Sequence, residues 1–202
     1  MEMLYLMLFF IALLAVSFIR LLITNSAIYA VKVRKFTDEK RFILKASVFS
    51  ELSILISFFL FSLIWTVMCL CVFNFDNIFK KIADSILLGF IGNLTITGSG
   101  HYSGIIVAFF EILTAYAFIY LFNQTVVYKN LNVPEKQKSK LLHIVSLCNV
   151  PYLLFIPILK ISFVSKIMND IIKGFNILKY KPIGMFVIND MKSVKPFSFD
   201  YG

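Results

Sequence analysis

The sequence predicts an all-α, polytopic integral membrane protein, and two observations carry this prediction. Of the 202 residues, 59% are hydrophobic and the mean hydropathy is +0.86, whereas a typical soluble domain has roughly 45–50% apolar residues. The excess lies in long apolar runs, and about 20 apolar residues suffice for a helix to cross a bilayer. We therefore expect a transmembrane helical domain over residues 1–160 with three to four spans. An interfacial amphipathic helix and an extended basic tail are expected over residues 161–202.

Two basic loops set the predicted orientation of the spans. The first span is predicted from about Met3 to Val31, and the basic segment Lys32–Lys45 follows it. A second basic loop, Lys129–Lys140, follows the span predicted from Ile105 to Val127. Lysine and arginine accumulate in short cytoplasmic loops, so we expect both loops to be cytoplasmic. The N-terminus is then non-cytoplasmic, in a bacterial-type inner membrane or an organelle membrane.

A short segment rich in glycine separates the second span, predicted from Val48 to Phe73, from the third. The apolar stretch 86–97 is too short to span easily, and glycines interrupt it, so we predict a re-entrant or interfacial segment. The following stretch, Gly98–Gly104, has two interpretations. Glycines let backbone carbonyls approach an ion in a pore loop, but they also permit a tight turn, and the turn is favoured.

The apolar run Leu141–Leu159 has two alternative paths. Its nineteen residues are enough for a fourth span, which would place the lysine-rich tail on the non-cytoplasmic side. Pro151 and Pro157 each remove a helix hydrogen bond, so the run can instead double back and leave the tail in the cytoplasm. Length favours the span and charge favours the hairpin, and the sequence leaves the two open.

The segment 161–179 is predicted to form an amphipathic helix on the membrane surface. Apolar residues recur at helical spacing on one face. The predicted membrane contacts are the apolar Ile167, Ile171 and Phe175 and the headgroup-facing Lys166 and Lys173. A helix packed on a partner subunit needs the same pattern.

Three residues form a candidate intramembrane polar site: Arg20, Glu111 and His101. A charged residue at the centre of a span costs roughly 2.5–3.5 kcal/mol on insertion scales. Arg20 can snorkel to the headgroups, or it can pair with Glu111 at similar depth and fix the helix register. Glu111, alone or with His101, can instead serve as a proton or ion site. Pairing is favoured over ion handling, and Glu51 is expected to be interfacial.

Several classes of function lack support in the sequence. It contains no catalytic, cofactor-binding or metal signature, and its three cysteines have neither zinc-site nor disulfide-framework spacing. We therefore expect no enzymatic activity and no cofactor. The net charge of +9 is better explained by contacts with anionic lipid headgroups than by nucleic-acid binding.

The expected function is that of a small non-enzymatic subunit or scaffold of a larger membrane assembly, of the secretion, trafficking or membrane-shaping type. Its expected partners are the lipid bilayer and other membrane subunits or further copies of itself. One alternative is a channel or transporter-like component that uses Glu111 and the glycine-rich stretch 98–104. Another is a membrane-resident immunity or regulatory protein that covers a partner's helices.

Overall fold

The computed structural model confirms the all-α fold, because every element that it assigns in the described residues is helical. Three helices are long and apolar enough to cross a membrane, which makes the chain a membrane protein. Residues 2–37, 41–73, 77–129, 131, 133–157 and 160–174 are described, apart from the side chains of 2–6, 168 and 171–174.

Six α-helices follow one another along the described residues. They are α1 (Glu2–Ile28), α2 (Arg41–Val72), α3 (Ile78–Gly98), α4 (Tyr102–Phe122), α5 (Glu135–Asn149) and α6 (Ser162–Gly174). A turn of π-helix extends α1 over Tyr29–Val33 and α4 over Asn123–Val127, and a 3-10 turn covers Tyr152–Phe155. The three candidate spans are Met7–Val33, Arg41–Val72 and Tyr102–Val127.

The short glycine-containing segment is the second half of a regular helix, and its re-entrant or interfacial position in the membrane stays a prediction. Helix α3 begins eight residues earlier than residue 86, because the side chain of Asn77 accepts a hydrogen bond of 2.8 Å from the amide of Phe79. From Leu88 to Gly98 nearly every residue is buried. Gly89 does not break the helix, because it lies where α2 and α3 come close together.

The chain divides into two compact units, and helices α1, α2 and α4 contribute residues to both. The first unit comprises residues 1–8, 59–109 and 153–202, and the second comprises residues 9–58 and 110–152. Within the first unit, a Cβ added at Gly89 would lie 2.6 Å from the amide nitrogen of Thr66 and 2.7 Å from the carbonyl oxygen of Ser62. Only glycine permits this approach of α3 to α2.

An apolar cluster in the second unit joins the two basic loops. The ring of Phe42, at the start of α2, packs edge-on against the ring of Tyr128, with 5.3 Å between the ring centroids. Its centroid lies 6.1 Å from that of the Tyr29 ring. Val33 and Val133, one from each loop, belong to the same cluster. Burial raises the pKa of the Tyr128 phenol, so this side chain stays protonated. Both loops therefore lie at one end of this unit, as a common side of the membrane requires.

The apolar run 141–159 is not one continuous helix. Helix α5 ends at Asn149, and Val150 adopts the extended backbone conformation (φ −56°, ψ 148°) that a following proline favours. The N-terminal half of α5 packs with Leu142 in the cluster around Tyr128, while Val150 packs against Ala115 of α4. Pro151 thus ends α5 part-way along α4.

Candidate intramembrane polar site

Uncharged polar side chains from four helical segments form a hydrogen-bonded cluster inside the second unit. The carboxamide of Asn149 donates to Oδ1 of Asn25 at 3.0 Å and to Oγ of Ser50 at 2.9 Å. Asn25 in turn donates to Oγ of Ser47 at 3.1 Å. The members of this asparagine–serine cluster, each 0% exposed, are Asn25, Ser47, Ser50, Asn123 and Asn149.

Asn123 joins the cluster from the π-helical turn that extends α4. Its carboxamide donates to the carbonyl of Ile119 at 2.8 Å and reaches Oγ of Ser50 at 3.5 Å. Away from water, a polar side chain is stabilised only if the protein supplies its partners. Such a cluster therefore favours one arrangement of α1, α2, α4 and α5 over others, because sliding any helix breaks its hydrogen bonds.

Arg20 of α1 caps the C-terminal end of α5. Its guanidinium donates to the backbone carbonyls of Asn149 at 2.8 Å and Val150 at 3.0 Å, with a longer contact of 3.4 Å to Cys148. The last carbonyls of a helix lack intrahelical partners and carry the negative end of the helix dipole. The half-buried guanidinium of Arg20 satisfies both requirements, since it supplies several hydrogen-bond donors and a positive charge.

The end of α5 lies near the middle of the candidate spans. Arg20 lies close to the centre of the first span. Val150 packs in a cluster with Ala115, near the centre of the third span, and with Ile54 of the second. A helix end at this depth cannot use water to satisfy its carbonyls, and this explains why an arginine is retained there.

Glu51 completes the charged part of the site. Its carboxylate accepts a hydrogen bond of 2.7 Å from the hydroxyl of Ser17 and interacts electrostatically with Arg20. Glu51 was expected to be interfacial, but its partner Ser17 lies only three residues from the centre of the first candidate span, and its side chain is only 9% exposed. Helix α2 begins at Arg41, about two turns before the predicted start of the span, so Glu51 lies well inside the helix.

Among the described residues, the hydrogen bonds of the Arg20 side chain end on α5, and none of them reaches Glu111. Glu111 is 1% exposed in α4, and its backbone carbonyl accepts a hydrogen bond of 2.9 Å from Ser57. His101 belongs to the first unit, where its amide donates to Oγ of Ser99 at 3.3 Å.

The glycine-rich stretch is mostly helical, which supports the turn interpretation over a pore loop. Gly98 ends α3 and Gly104 lies in α4, so the connection is only Ser99–His101. Gly100 has a φ of +68°, a conformation that glycine adopts without strain. A Cβ added at Gly104 would lie 2.8 Å from Oγ of Ser99. These glycines therefore permit a tight turn and close packing of the two helices.

The predicted membrane-surface residues are described only in part. Helix α6 forms over Ser162–Gly174, with Val164 buried, Ile167 half-buried and Lys166 exposed. Ile171 and Lys173 belong to the helix, but their side chains lie outside the described residues, as does Phe175. The amphipathic contact of this helix with a membrane remains a prediction.

Comparison with other proteins adds no assignment to this site. No protein-family model, curated protein or solved structure matches the chain. Within the described residues, no group of three or more His, Cys, Asp and Glu side chains is placed to hold a metal ion.

The asparagine–serine cluster was not predicted from the sequence, although one sequence feature indicates it. Asn25, Asn123 and Asn149 each interrupt a long apolar run, and an amide in a span is costly without a partner. Their common need for partners predicts that they meet. Their exact pairing follows from the break of α5, which fixes the depth of Asn149.

Proposed function

We propose that the chain is a small non-enzymatic subunit or scaffold of a larger membrane assembly, of the secretion, trafficking or membrane-shaping type. The observation that carries this proposal is that the charged side chains of Arg20 and Glu51 hold neighbouring helices together. Arg20 holds the end of α5 and Glu51 holds Ser17 of α1. Intramembrane charges that serve transport face a substrate or a water-filled path, whereas these two fasten helices to each other.

The exterior of the spans is consistent with this role. Large apolar side chains are exposed on α1, α2 and α4, where they contact lipid or the helices of other subunits. Examples are Val16 at 58%, Ile23 at 66%, Leu63 at 59% and Ile106 at 56% exposure. A fixed polar interior beneath an apolar exterior suits a subunit that presents a constant surface to neighbours.

The alternatives rest on fewer observations. A channel or transporter-like component would use Glu111, whose buried position in a candidate span is the specific feature in its favour. The glycine stretch gives it less support, because only Ser99–His101 lies outside the helices. An immunity or regulatory protein would present the same apolar exterior to a single partner.

Co-purification of the full chain in a mild detergent tests the proposal. We expect other membrane proteins to co-purify in fixed stoichiometry, and we expect Arg20→Gln to weaken this association more than the exposed control Arg41→Gln. One co-purified partner would favour the regulatory alternative. A homo-oligomer in which a cysteine at Ala108 or Ala115 reacts with a water-soluble thiol reagent would contradict the proposal and favour a channel.

A further inference from the structure

A strip of polar side chains on α5 runs from the basic loop towards the middle of the candidate spans. Lys136, Lys140 and His143 are exposed and are spaced by four and three residues, which places them on one face of the helix. At 1.5 Å per residue this lysine–histidine strip is about 10 Å long. It ends beside Tyr116 of α4.

The histidine of the strip is fixed by its aromatic neighbours. The hydroxyl of Tyr116 lies 2.5 Å from Nδ1 of His143, and the ring of Tyr120 lies 5.0 Å from the imidazole. In the tautomer whose Nδ1 accepts from the phenol, the ring proton lies on Nε2. Among the described residues this Nε2–H has no acceptor, so the ring offers one oriented donor at the molecular surface.

The depth of this donor makes it unusual. His143 lies seven residues before Val150, so its backbone is about 10 Å nearer the basic loop than the middle of the candidate spans, at the edge of the acyl-chain region. A polar group exposed to hydrocarbon is costly unless something satisfies it. Above it, the loop Lys129–Lys140 carries four lysines and one glutamate, a combination that attracts anionic headgroups.

We propose that the lysine–histidine strip binds one anionic phospholipid of the surrounding bilayer. The phosphate lies against the ammonium groups of Lys136 and Lys140. An ester carbonyl oxygen of the same lipid, which lies deeper than its phosphate, accepts the hydrogen bond from Nε2 of His143. The order of groups along the strip, two cations and then a deeper single donor, matches the order of groups along a phospholipid. This site does not depend on the proposed subunit role.

Lipid retention by the full chain measures the charge part of the proposal. The chain is exchanged into mixed micelles with equal amounts of phosphatidylglycerol and phosphatidylcholine, and retained lipid is counted by native mass spectrometry. We expect phosphatidylglycerol to be retained preferentially. Lys136→Gln with Lys140→Gln should lower this preference about fivefold for each lysine. The matched control, Lys80→Gln with Lys81→Gln on α3, should leave it unchanged.

The histidine is tested by a pair of substitutions whose thermal stability is measured alongside. His143→Phe keeps the ring but removes the donor, and should lower lipid retention severalfold, while His143→Gln keeps an amide donor and should retain more. Equal retention of both lipids by the native chain would overturn the proposal. Unchanged retention in His143→Phe, with loss of a stoichiometric protein, would overturn it in favour of a protein contact.

Discussion

The guanidinium of Arg20 donates a hydrogen bond of 2.8 Å to the backbone carbonyl of Asn149, the last residue of α5. The same Asn149 donates through its side chain to Asn25 and Ser50. One residue thus joins the charged part of the site to the asparagine–serine cluster. The break in the chain before Pro151 is therefore held from α1 and α2 at once, and α5 is fixed at a defined depth.

The first prediction concerns the cap on α5. Arg20→Gln should lower the free energy of unfolding by about 2 kcal/mol or more, because buried carbonyls lose a charged donor. Arg20→Lys keeps the charge but has fewer donors, so its free energy of unfolding should lie between those of the native chain and Arg20→Gln. Amide hydrogen exchange should rise over residues 145–150. The exposed control Arg41→Gln should change stability by less than about 0.5 kcal/mol, and an equal effect of both substitutions would argue against the cap.

The sequence predicted the helical class and the three spans, because these follow from local hydrophobicity, whereas the common cytoplasmic side of the two basic loops stays a prediction. It did not predict the partner of Arg20, since that depends on where α5 ends in three dimensions. Pro151 indicates a break in the helix, but it does not indicate that the guanidinium of Arg20 binds the carbonyls at this break. Glu51 was misplaced for a related reason. The predicted span began at Val48 because polar residues precede it, whereas α2 begins two turns earlier, at Arg41.

The glycines of α3 and α4 show a second limit of sequence reasoning. Gly89, Gly98 and Gly104 suggested a broken or looping backbone, because glycine is a poor helix former in water. In a bundle of apolar helices, small residues instead let backbones approach closely. Local propensity cannot separate these two uses, which differ only in what lies opposite the glycine.

The second prediction concerns coupling within the asparagine–serine cluster. Asn25→Ala and Asn149→Ala should each destabilise the chain, and the double variant should be less damaging than their sum by roughly 0.5–3 kcal/mol. Thermal unfolding in detergent measures the cycle. A control cycle pairs Asn25→Ala with Thr114→Ala, whose hydroxyl bonds the carbonyl of Phe110 in its own helix. Additivity in both cycles would show that the cluster does not couple α1 to α5.

The third prediction concerns the contact of α4 with the end of α3. Gly104→Ala should destabilise the chain by about 1–3 kcal/mol, because the added methyl group would overlap the backbone carbonyl of Ile96, which cannot rotate away as the Ser99 hydroxyl can. The neighbouring control Ser103→Ala is exposed and should be neutral or slightly stabilising. If Gly104→Ala were as stable as Ser103→Ala, the close approach of the two helices would not exist in solution.

The fourth prediction concerns α6. Val164 is 8% exposed and Ile167 is half-buried, whereas Lys166 is exposed. Val164→Asp with Ile167→Asp should release the helix and make it susceptible to protease, because two charges would replace its apolar contacts. Lys166→Gln should leave protease resistance nearly unchanged at high salt. Equal cleavage of the native chain and the double variant would mean that α6 is not anchored through this face.

The last prediction concerns the path of the run 141–159. Its start packs with Leu142 near Tyr128, just beyond the C-terminal end of α4. At its other end, a Cβ added at Gly100, just before α4 begins, would lie 2.9 Å from Cβ of Pro157. Because α4 is one continuous helix, these contacts at its two ends predict a fourth crossing, broken near the middle and capped by Arg20. Charge bias alone predicts the opposite, a tail on the side of the basic loops.

Single-cysteine labelling in a cysteine-free chain tests this broken crossing most directly. Cysteines placed at Lys35, Lys140 and Lys166, all exposed, are treated with a membrane-impermeant thiol reagent in right-side-out and inverted vesicles. We expect Lys35→Cys and Lys140→Cys to react from the same side and Lys166→Cys to react from the other. Reaction of all three from one side would contradict the account, because the run would then double back and Arg20 would cap a hairpin instead of a crossing.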